Sequence, residues 1–415
     1  MGAFSAFTEK KSKRNRRETP SVSSYYTKLA RNAVICRYAV MIAIIAFTVY
    51  SLSFHSDEIT MENFEYMMKF VNQGEEAAAP KGTLITFDGS SGNQGLIYKG
   101  DLAVLGNNGL TITGWDGDII LQESFAYDHP KIAQNGEHLF CYDLGGKELQ
   151  IFNSYSHLQT ITFDYPIYGF STSESARFAV ISSSKGYRTS VHIYDKEFRK
   201  IYTCYFGNKY TDFVSINKDG VGFITAAHYS QNANLVTVIS RYRTDSTEND
   251  PLFSQTFVGE IPLGLSYTSD GYCLLTSEAM RFFNVNDEIV SEIKFGEKEL
   301  LSGEIFNNRV LMTYSLKGLS GGTDAVIYDT NGKELYSADF DYSLSDTLIS
   351  NEMFYALAPG KLTVCNLTDK TRVDYEIPSG YSSLLMGNDD KLIIFSENQA
   401  EYFDETKYNQ GDTSQ

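Results

Sequence analysis

The sequence predicts an all-β protein, a β-propeller of eight four-stranded blades with seven as the alternative, preceded by one transmembrane helix. The first observation behind the propeller is a recurring pair, in which a bulky residue precedes Asp or Asn at the end of a strand-like run. The seven pairs are Trp115-Asp116, Phe152-Asn153, Tyr194-Asp195, Phe283-Asn284, Tyr328-Asp329, Cys365-Asn366 and Phe403-Asp404. A period of roughly forty to fifty residues built from short strands is typical of a propeller.

The second observation is a turn sequence that stands directly before a hydrophobic strand and occurs eight times. The turns are Lys99-Gly100, Asn135-Gly136, Ser175-Ala176, Asp219-Gly220, Asp270-Gly271, Asn307-Asn308, Asn351-Glu352 and Asp389-Asp390. Asp-Gly and Asn-Gly favour tight hairpins that need positive φ. We expect this turn to join the inner strand of each blade to the second strand. The bulky-Asp/Asn pair should then end the third strand, with its bulky residue packed between neighbouring sheets.

The fourth and eighth repeats depart from this pattern. Repeat four, Asp212 to Pro262, lacks the pair and contains the long loop Thr244–Pro251, which accounts for the doubled spacing between Asp195 and Asn284. The eighth repeat has no fourth strand, whereas Thr83–Asp88 (TLITFD) is an extra strand before the first repeat. We therefore predict that residues 83–88 supply the outer strand of the last blade. Such closure removes an exposed sheet edge.

The elements outside the propeller are predicted as a basic cytoplasmic tail over 1–32, a transmembrane helix over 33–54, a juxtamembrane helix and linker over 55–82, and a polar tail over 406–415. The propeller itself takes 83–405. Tyr38 to Phe54 contains no charged residue, and about twenty apolar residues cross a bilayer. Basic residues precede this segment and acidic ones follow it, which predicts a cytoplasmic N-terminus and an extracellular C-terminal domain of a single-pass protein in the cell membrane. A cleaved signal peptide is the alternative.

Charge and cysteine content narrow the class of protein. The net charge is −17, and because residues 1–37 hold nine basic and two acidic residues, the remainder carries −24. So acidic a domain repels phosphate backbones, which argues against nucleic-acid binding. Cys141, Cys204, Cys273 and Cys365 each fall in a predicted strand without CxxC spacing. Free, buried thiols are favoured over a disulfide framework, although the even count leaves disulfides open.

No catalytic motif is present, so no catalytic and no cofactor-binding residue is assigned, and no cofactor is expected. The six histidines lack the spacing of a zinc site. Asp116-Gly117-Asp118 and Asn388-Asp389-Asp390 offer oxygens that suit Ca²⁺, but hairpin turns use the same residues, so the metal assignment stays open. Asp245, Glu248, Asn249 and Asp250 form an acidic loop that is interpreted as solvated rather than as a binding site. Asn366-Leu367-Thr368 fits a glycosylation sequon.

The recurring pair resembles the Trp-Asp position of WD40 repeats, which Trp115-Asp116 matches literally. The basic tail, single apolar segment and propeller-like domain together resemble an uncharacterised family of single-pass membrane proteins from clostridia-type Firmicutes. That resemblance implies a WD40-like propeller outside the cell in a Gram-positive envelope. It implies no activity and no functional residues.

These observations favour a non-enzymatic, membrane-anchored propeller that acts as a scaffold binding a protein or a cell-wall polymer. The first alternative is a glycan-acting hydrolase or lyase that uses carboxylates gathered at the central channel. The second is a sensor that transmits a signal through the membrane. The sequence leaves open which face of the propeller is functional and the oligomeric state. It directs a search for the site to the central channel and to the Thr244–Pro251 loop.

Overall fold

The computed structural model describes residues 21–54, 83–87, 92–246, 250–306, 308–316, 321–350, 352–387 and 390–408. The chain divides into two compact units, residues 1–75 and residues 76–415. The predicted tail up to residue 20, the juxtamembrane helix and linker over 55–82, and residues 409–415 lie outside the described residues.

The first unit contains helix α1, which runs from Ser21 to Phe54. The helix begins before the predicted start at residue 33, so Lys28 and Arg31 belong to it together with Arg37. Within the described part of the chain, no helix combines the length and the apolar character that crossing a membrane requires. The predicted transmembrane helix over 33–54 is therefore not supported, although the segment is helical.

The second unit is all-β. Its first half contains strands β1 (Leu84–Thr86), β2 (Gln94–Tyr98), β3 (Asp101–Gly106), β4 (Gly109–Thr113), β5 (Ile119–Ser124), β6 (Pro130–Gln134), β7 (Leu139–Asp143), β8 (Glu148–Phe152), β9 (His157–Thr162), β10 (Gly169–Thr172), β11 (Phe178–Ser184), β12 (Tyr187–Tyr194), β13 (Lys200–Phe206), β14 (Tyr210–Ile216), β15 (Gly222–Gln231) and β16 (Asn234–Arg243). The second half contains β17 (Phe253–Val258), β18 (Pro262–Thr268), β19 (Gly271–Thr276), β20 (Ala279–Asn284), β21 (Ile289–Lys294), β22 (Leu300–Phe306), β23 (Arg309–Ser315), β24 (Thr323–Asp329), β25 (Glu334–Phe340), β26 (Asp346–Ile349), β27 (Met353–Ala358), β28 (Lys361–Asn366), β29 (Arg372–Glu376), β30 (Tyr381–Met386), β31 (Leu392–Ser396) and β32 (Gln399–Tyr402).

The strands form eight antiparallel sheets of four strands, which confirms the predicted eight-bladed propeller. Seven sheets consist of consecutive strands, beginning with β2–β5 as blade one and ending with β26–β29 as blade seven. Inner strands of most neighbouring blades contact one another around a central channel, and the contact between β2 and β30 closes the ring.

Blade eight is assembled from both ends of the domain. Its order is β30, β31, β32 and then β1, with Ile85 opposite Ala400. The prediction that residues 83–88 supply the missing outer strand is confirmed for β1. The ring is thus closed by backbone hydrogen bonds between residues more than three hundred positions apart in the chain.

The bulky-Asp/Asn pairs lie at or just after the end of the third strand of their blades, as predicted, and all but Phe403-Asp404 begin a hairpin into the fourth strand. In each pair the side-chain oxygen of Asp or Asn accepts a backbone N–H two residues later, for example from Tyr155 to Asn153 at 2.8 Å and from Asn331 to Asp329 at 2.9 Å. This local hydrogen bond is the reason that Asp and Asn are favoured in turns. The recurring pair therefore has a structural role.

The core consists of eight hydrophobic clusters, each shared by two adjacent blades. The bulky residues of the pairs lie in these clusters, as predicted. Trp115 of blade one, for example, packs against Tyr402 of blade eight with ring centroids 4.2 Å apart. Burial of these aromatic side chains joins each blade to the next.

The ring has two faces, which differ in the loops they carry. The turn face carries the turns between first and second strands and between third and fourth strands, such as residues 217–220 and 285–288. The connection face carries the hairpins between second and third strands and the links between blades, such as residues 185–186 and 207–209.

Candidate functional site

The inner strands of blades three, four and five enclose a cleft on the turn face, with a volume of about 1040 Å³. Its floor is formed by residues of β10, β14 and β18, so it opens into the central channel. Its rim includes Glu174, Asn217, Lys218, Asp219, Arg241, Tyr242, Arg243, Tyr267, Tyr272, Val285 and Asn308. We call it the turn-face cleft.

The floor of the cleft contains hydroxyl groups that also join the blades. The Ser171 Oγ accepts the Ile216 N–H at 3.4 Å, and the Ser215 Oγ accepts the Tyr267 N–H at 3.0 Å. Each bond runs from the inner strand of one blade to that of the next. The floor is therefore polar and held in place by the ring itself.

The basic side chains on the rim are each paired with a carboxylate. Two of the three Arg241 guanidinium nitrogens, Nε and Nη2, donate to Asp287, with Nε–Oδ1 at 2.8 Å, and the Tyr272 hydroxyl donates to the same carboxylate at 2.9 Å. The Asp287 hydrogen bond raises the pKa of Arg241 further. Arg243 binds Asp245 in the same two-pronged way. Planar, bidentate pairs of this kind fix side-chain orientation, so the rim presents a defined surface.

A smaller cavity of about 570 Å³ adjoins the cleft and shares its residues 172–174. Its other walls are the first turns of blades one and two, including Lys99 and Asn135. The Nδ2 of Asn135 is buried without a hydrogen-bond acceptor among the described residues. Together the two cavities follow the channel mouth across blades one to five.

Two carboxylates lie on neighbouring inner strands, as the enzymatic alternative requires. Glu304 lies on β22 and Asp346 on β26. Burial, reinforced by the negative charge of Asp346, raises the pKa of Glu304 to about 7. Asp346 is engaged structurally, because its Oδ2 accepts the Leu384 N–H at 2.7 Å and the Ser383 hydroxyl at 2.8 Å.

The residues considered for metal binding do not come together. Asp116 Oδ1 accepts the Asp118 N–H at 3.1 Å as part of its turn, and Asn388 and Asp389 lie outside the described residues. No group of three or more His, Cys, Asp or Glu side chains suited to a metal occurs in the part of the chain that the structure describes. In the acidic loop, Asp245 pairs with Arg243 beside the cleft, whereas Glu248 and Asn249 are not described.

The described histidines and cysteines are dispersed over the blades. Burial lowers the pKa of His138 and of His192 to about 4 in each case, so both are neutral at physiological pH. The four cysteines of the propeller are free and buried, as favoured from the sequence. Burial raises the pKa of Cys204 and Cys273 to about 12, which leaves them unreactive.

The sequence directed attention to the channel and to the 244–251 loop, and the cleft borders both. The sequence did not indicate that Glu304 or the serines on the floor of the cleft belong to a candidate site. Ser171, Ser215 and Glu304 each stand in a short inner strand with no motif around them. Each of the three is paired with an equivalent residue in the second strand of its blade, and this shared register is the signal that relates them.

The ring and its cleft define a WD40-like β-propeller. The fold is similar to the crystal structure of the C-terminal WD40 domain of Sif2, with a TM-score of 0.52 and 12% identity over 76% of this chain and 95% of that chain. It is also similar to a crystal structure of a eukaryotic initiation factor, with a TM-score of 0.51 and 11% identity over 73% of this chain and 80% of that chain. At such identity the likeness concerns the fold alone.

Residues 83–403 match the model of a family of unknown function, DUF5711. The match covers the whole propeller, and the chain belongs to that family. No curated protein is significantly similar to the chain.

Proposed function

We propose that this protein is a non-enzymatic, membrane-tethered scaffold whose propeller binds a protein or a wall polymer outside a Gram-positive cell. The observation that carries the binding role is the turn-face cleft. It has the volume of a ligand site, and its walls combine tyrosines with a few fixed polar groups. Propeller folds commonly bind proteins, which favours a protein ligand over a polymer.

Site-specific photo-crosslinking tests this role. A photoreactive residue at Val285, which is 70% exposed on the rim of the cleft, is compared with one at Ile119, which is 60% exposed on the outer strand of blade one. We expect a discrete adduct in intact cells from position 285 and none from position 119. Equal labelling at both positions would show that the cleft is not a binding site.

Attachment to a membrane is supported by the surface of α1. Nine large apolar side chains between Val34 and Val49 are each about half exposed or more, and contiguous exposed apolar surface of this kind marks an interaction site. The full-length chain should stay with the membrane pellet after alkaline carbonate extraction. Release into the supernatant would contradict the tether.

An extracellular position of the propeller can be tested with a membrane-impermeant maleimide on intact cells. The four propeller thiols are buried and give a low background, Cys36→Ser removes the exposed thiol of α1, and Ser382→Cys in that background adds an exposed thiol on β30. We expect labelling of the variant without cell lysis. Labelling only after lysis would place the propeller inside the cell.

The second candidate is a glycan-acting hydrolase or lyase, which the Glu304–Asp346 neighbourhood favours. A carboxyl group with a pKa near 7 suits a general acid. The fixed hydrogen bonds of Asp346 make it a poor nucleophile or base. If the purified protein degraded cell-wall glycans and Glu304→Gln abolished this turnover, the scaffold proposal would be replaced.

A further inference from the structure

The connection face carries a free strand edge in blade four. β15 is longer than its inner neighbour β14, whose first residue, Tyr210, lies opposite His228. Among the residues that the structure describes, Tyr229, Ser230 and Gln231 therefore have no partner strand on the β14 side, although β16 pairs with them on the other side. Three residues at about 3.3 Å each leave roughly 10 Å of open edge.

The hydrogen-bond alternation shows which backbone groups point away from the hairpin. Ser230 lies opposite Leu235, and the Leu235 carbonyl accepts the Gly259 N–H at 2.7 Å on the far side of β16. In an antiparallel pair, two residues that lie opposite each other either both direct their N–H and C=O groups toward the partner strand or both direct them away from it. The N–H and C=O of Ser230 therefore point to the open edge, where the residue is exposed.

A group of exposed tyrosines lies beside this edge on blades three and four. Tyr187 and Tyr205 have ring centroids 4.6 Å apart and are 45% and 41% exposed. Tyr210, 44% exposed, stacks on His228 at 5.5 Å, and the Arg188 guanidinium lies over its ring at 4.8 Å. We call these three tyrosines the tyrosine shelf. Tyr and Arg are the residues that contribute most at protein interfaces.

The charge around the shelf is opposite to that of the domain as a whole, apart from the Asp212 carboxylate, which His228 binds at 2.7 Å beside the shelf. Lys185, Arg188 and Lys209 border it, and none of the three has an ion pair with a carboxylate among the described residues. The chain beyond residue 37 carries −24. On the rim of the turn-face cleft, by contrast, Arg241, Arg243 and Lys218 are all paired. The unpaired cations favour an acidic ligand.

We propose that the connection face binds an extended, acidic segment of a partner protein, which adds as a strand to β15 at Ser230 and lays its side chains on the tyrosine shelf. Strand addition uses main-chain hydrogen bonds for affinity and neighbouring surfaces for specificity. The outward backbone N–H and C=O of Ser230 favour a peptide over a glycan, because any amides of a sugar chain are ring substituents and do not repeat along the backbone at the spacing of a strand. This surface lies on the face opposite the turn-face cleft and goes beyond the function proposed for that cleft.

The test uses the full-length chain and an array of random linear peptides. We expect the bound peptides to be rich in Asp, Glu and residues that favour strands, and their binding to weaken with salt. The strongest peptide is then used for anisotropy measurements with variants. Ser230→Pro removes the outward N–H but none of the hairpin hydrogen bonds, since proline is tolerated at a sheet edge. It should weaken binding at least tenfold, whereas Ser230→Ala should bind like the wild type.

Two further variants keep the result decisive. Arg188 lies on another strand, and Arg188→Glu should also weaken binding at least tenfold. This second variant keeps the proposal testable if Ser230→Pro disturbs folding. Val285→Asp, in the turn-face cleft, should leave peptide binding unchanged. A result against the cleft proposal can therefore be distinguished from a result against the β15 edge proposal. The proposal is overturned if no peptide binds, if only anionic glycans bind, or if Ser230→Pro and Arg188→Glu both bind like the wild type.

Discussion

Glu304 occupies, on β22, the position that Ser215 occupies on β14 and Ser266 on β18, each opposite the third residue of the following strand. The serine at this position in blade four accepts a backbone N–H from blade five. A carboxylic acid at the same place is half-buried and close to Asp346. Its raised pKa follows from this position, where the charged form loses hydration and faces a like charge.

The raised pKa of Glu304 predicts how stability depends on pH. Between about pH 4.5 and 7 the folded protein keeps a proton that the unfolded chain has released, so this residue makes the free energy of unfolding fall as pH rises through that window. Glu304→Gln removes the ionised form. Because solvent screens this partly exposed group and reduces the full effect, we expect the variant to be more stable than wild type by about 2 kcal/mol at pH 8 and similar to it at pH 4. Urea unfolding at both pH values measures this, and Glu376→Gln, at an exposed position, should show no such pH dependence.

The turn-forming Asp and Asn residues give a second prediction for single residues. Asp329 Oδ1 accepts the N–H groups of Asn331 and Lys333, both at 2.9 Å. Asp329→Ala leaves both donors without this acceptor and should lower the free energy of unfolding by about 1 kcal/mol. The exposed neighbour Asn331→Ala is the matched control. Equal stability of the two variants in chemical denaturation would refute a structural role for the pair.

At the scale of elements, the end of the propeller is fastened by a short segment after β32. The Glu401 side chain is almost completely buried, and it accepts hydrogen bonds from Tyr381 at 2.8 Å, Lys407 at 2.6 Å and Tyr408 at 3.0 Å. Tyr408 also stacks on Phe403, with centroids 5.6 Å apart. Residues 407 and 408, which belong to the predicted polar tail over 406–415, thus contact blade eight.

Truncation after Asp404 tests this contact. It would leave the buried Glu401 carboxylate with Tyr381 alone among these three partners, and an under-paired buried charge costs several kcal/mol. We expect the melting temperature to fall by several degrees. Glu401→Gln in the truncated chain should recover part of the loss, because the neutral amide needs no cation. Failure of this rescue would mean that the segment acts by packing alone.

The elements that the sequence predicted well are those with local causes. Turns such as Asp219-Gly220 and caps such as Asn153 depend on residues two to four positions away, so a single sequence reveals them. The Glu401 cluster and the Arg281–Glu260 pair, at 2.6 Å, depend on contacts between separate strands and loops. Long-range contacts of this kind leave no periodic pattern, and a polar ending such as ETKY looked like an unpacked tail.

For the whole molecule, the number of blades followed from counting turns, but the location of the cleft did not. The cavity at blades three to five depends on the lengths of the inner strands. It also depends on the sizes of side chains that come from three different repeats and lie together only in the folded protein. The boundaries of the helix before the propeller were also only partly predicted. Its helical character was predicted, whereas its start at Ser21 was not, because basic residues such as Lys28 and Arg31 are as compatible with a helix as with a polar tail.

Ring closure is a property of the whole molecule that depends on the three-residue strand β1. Ile85 is 4% exposed and lies in the cluster between blades eight and one, whereas its neighbour Leu84 is 47% exposed. Ile85→Asn should therefore lower the free energy of unfolding by about 3 kcal/mol, through lost burial and an unpaired amide. Leu84→Asn, the same change one residue earlier, should cost well under 1 kcal/mol.

Deletion of residues 80–90 removes β1 altogether and should have a larger effect. Blade eight then exposes the open edge of β32 together with Ile393, Phe395 and Tyr402 from the closing cluster. Because each blade is stabilised mainly by its two neighbours, an opened ring loses the cooperativity that closure gives it. Calorimetry should show a broad or absent transition, with increased binding of a hydrophobic dye at room temperature. A single sharp transition at the wild-type temperature would mean that the ring holds together without β1.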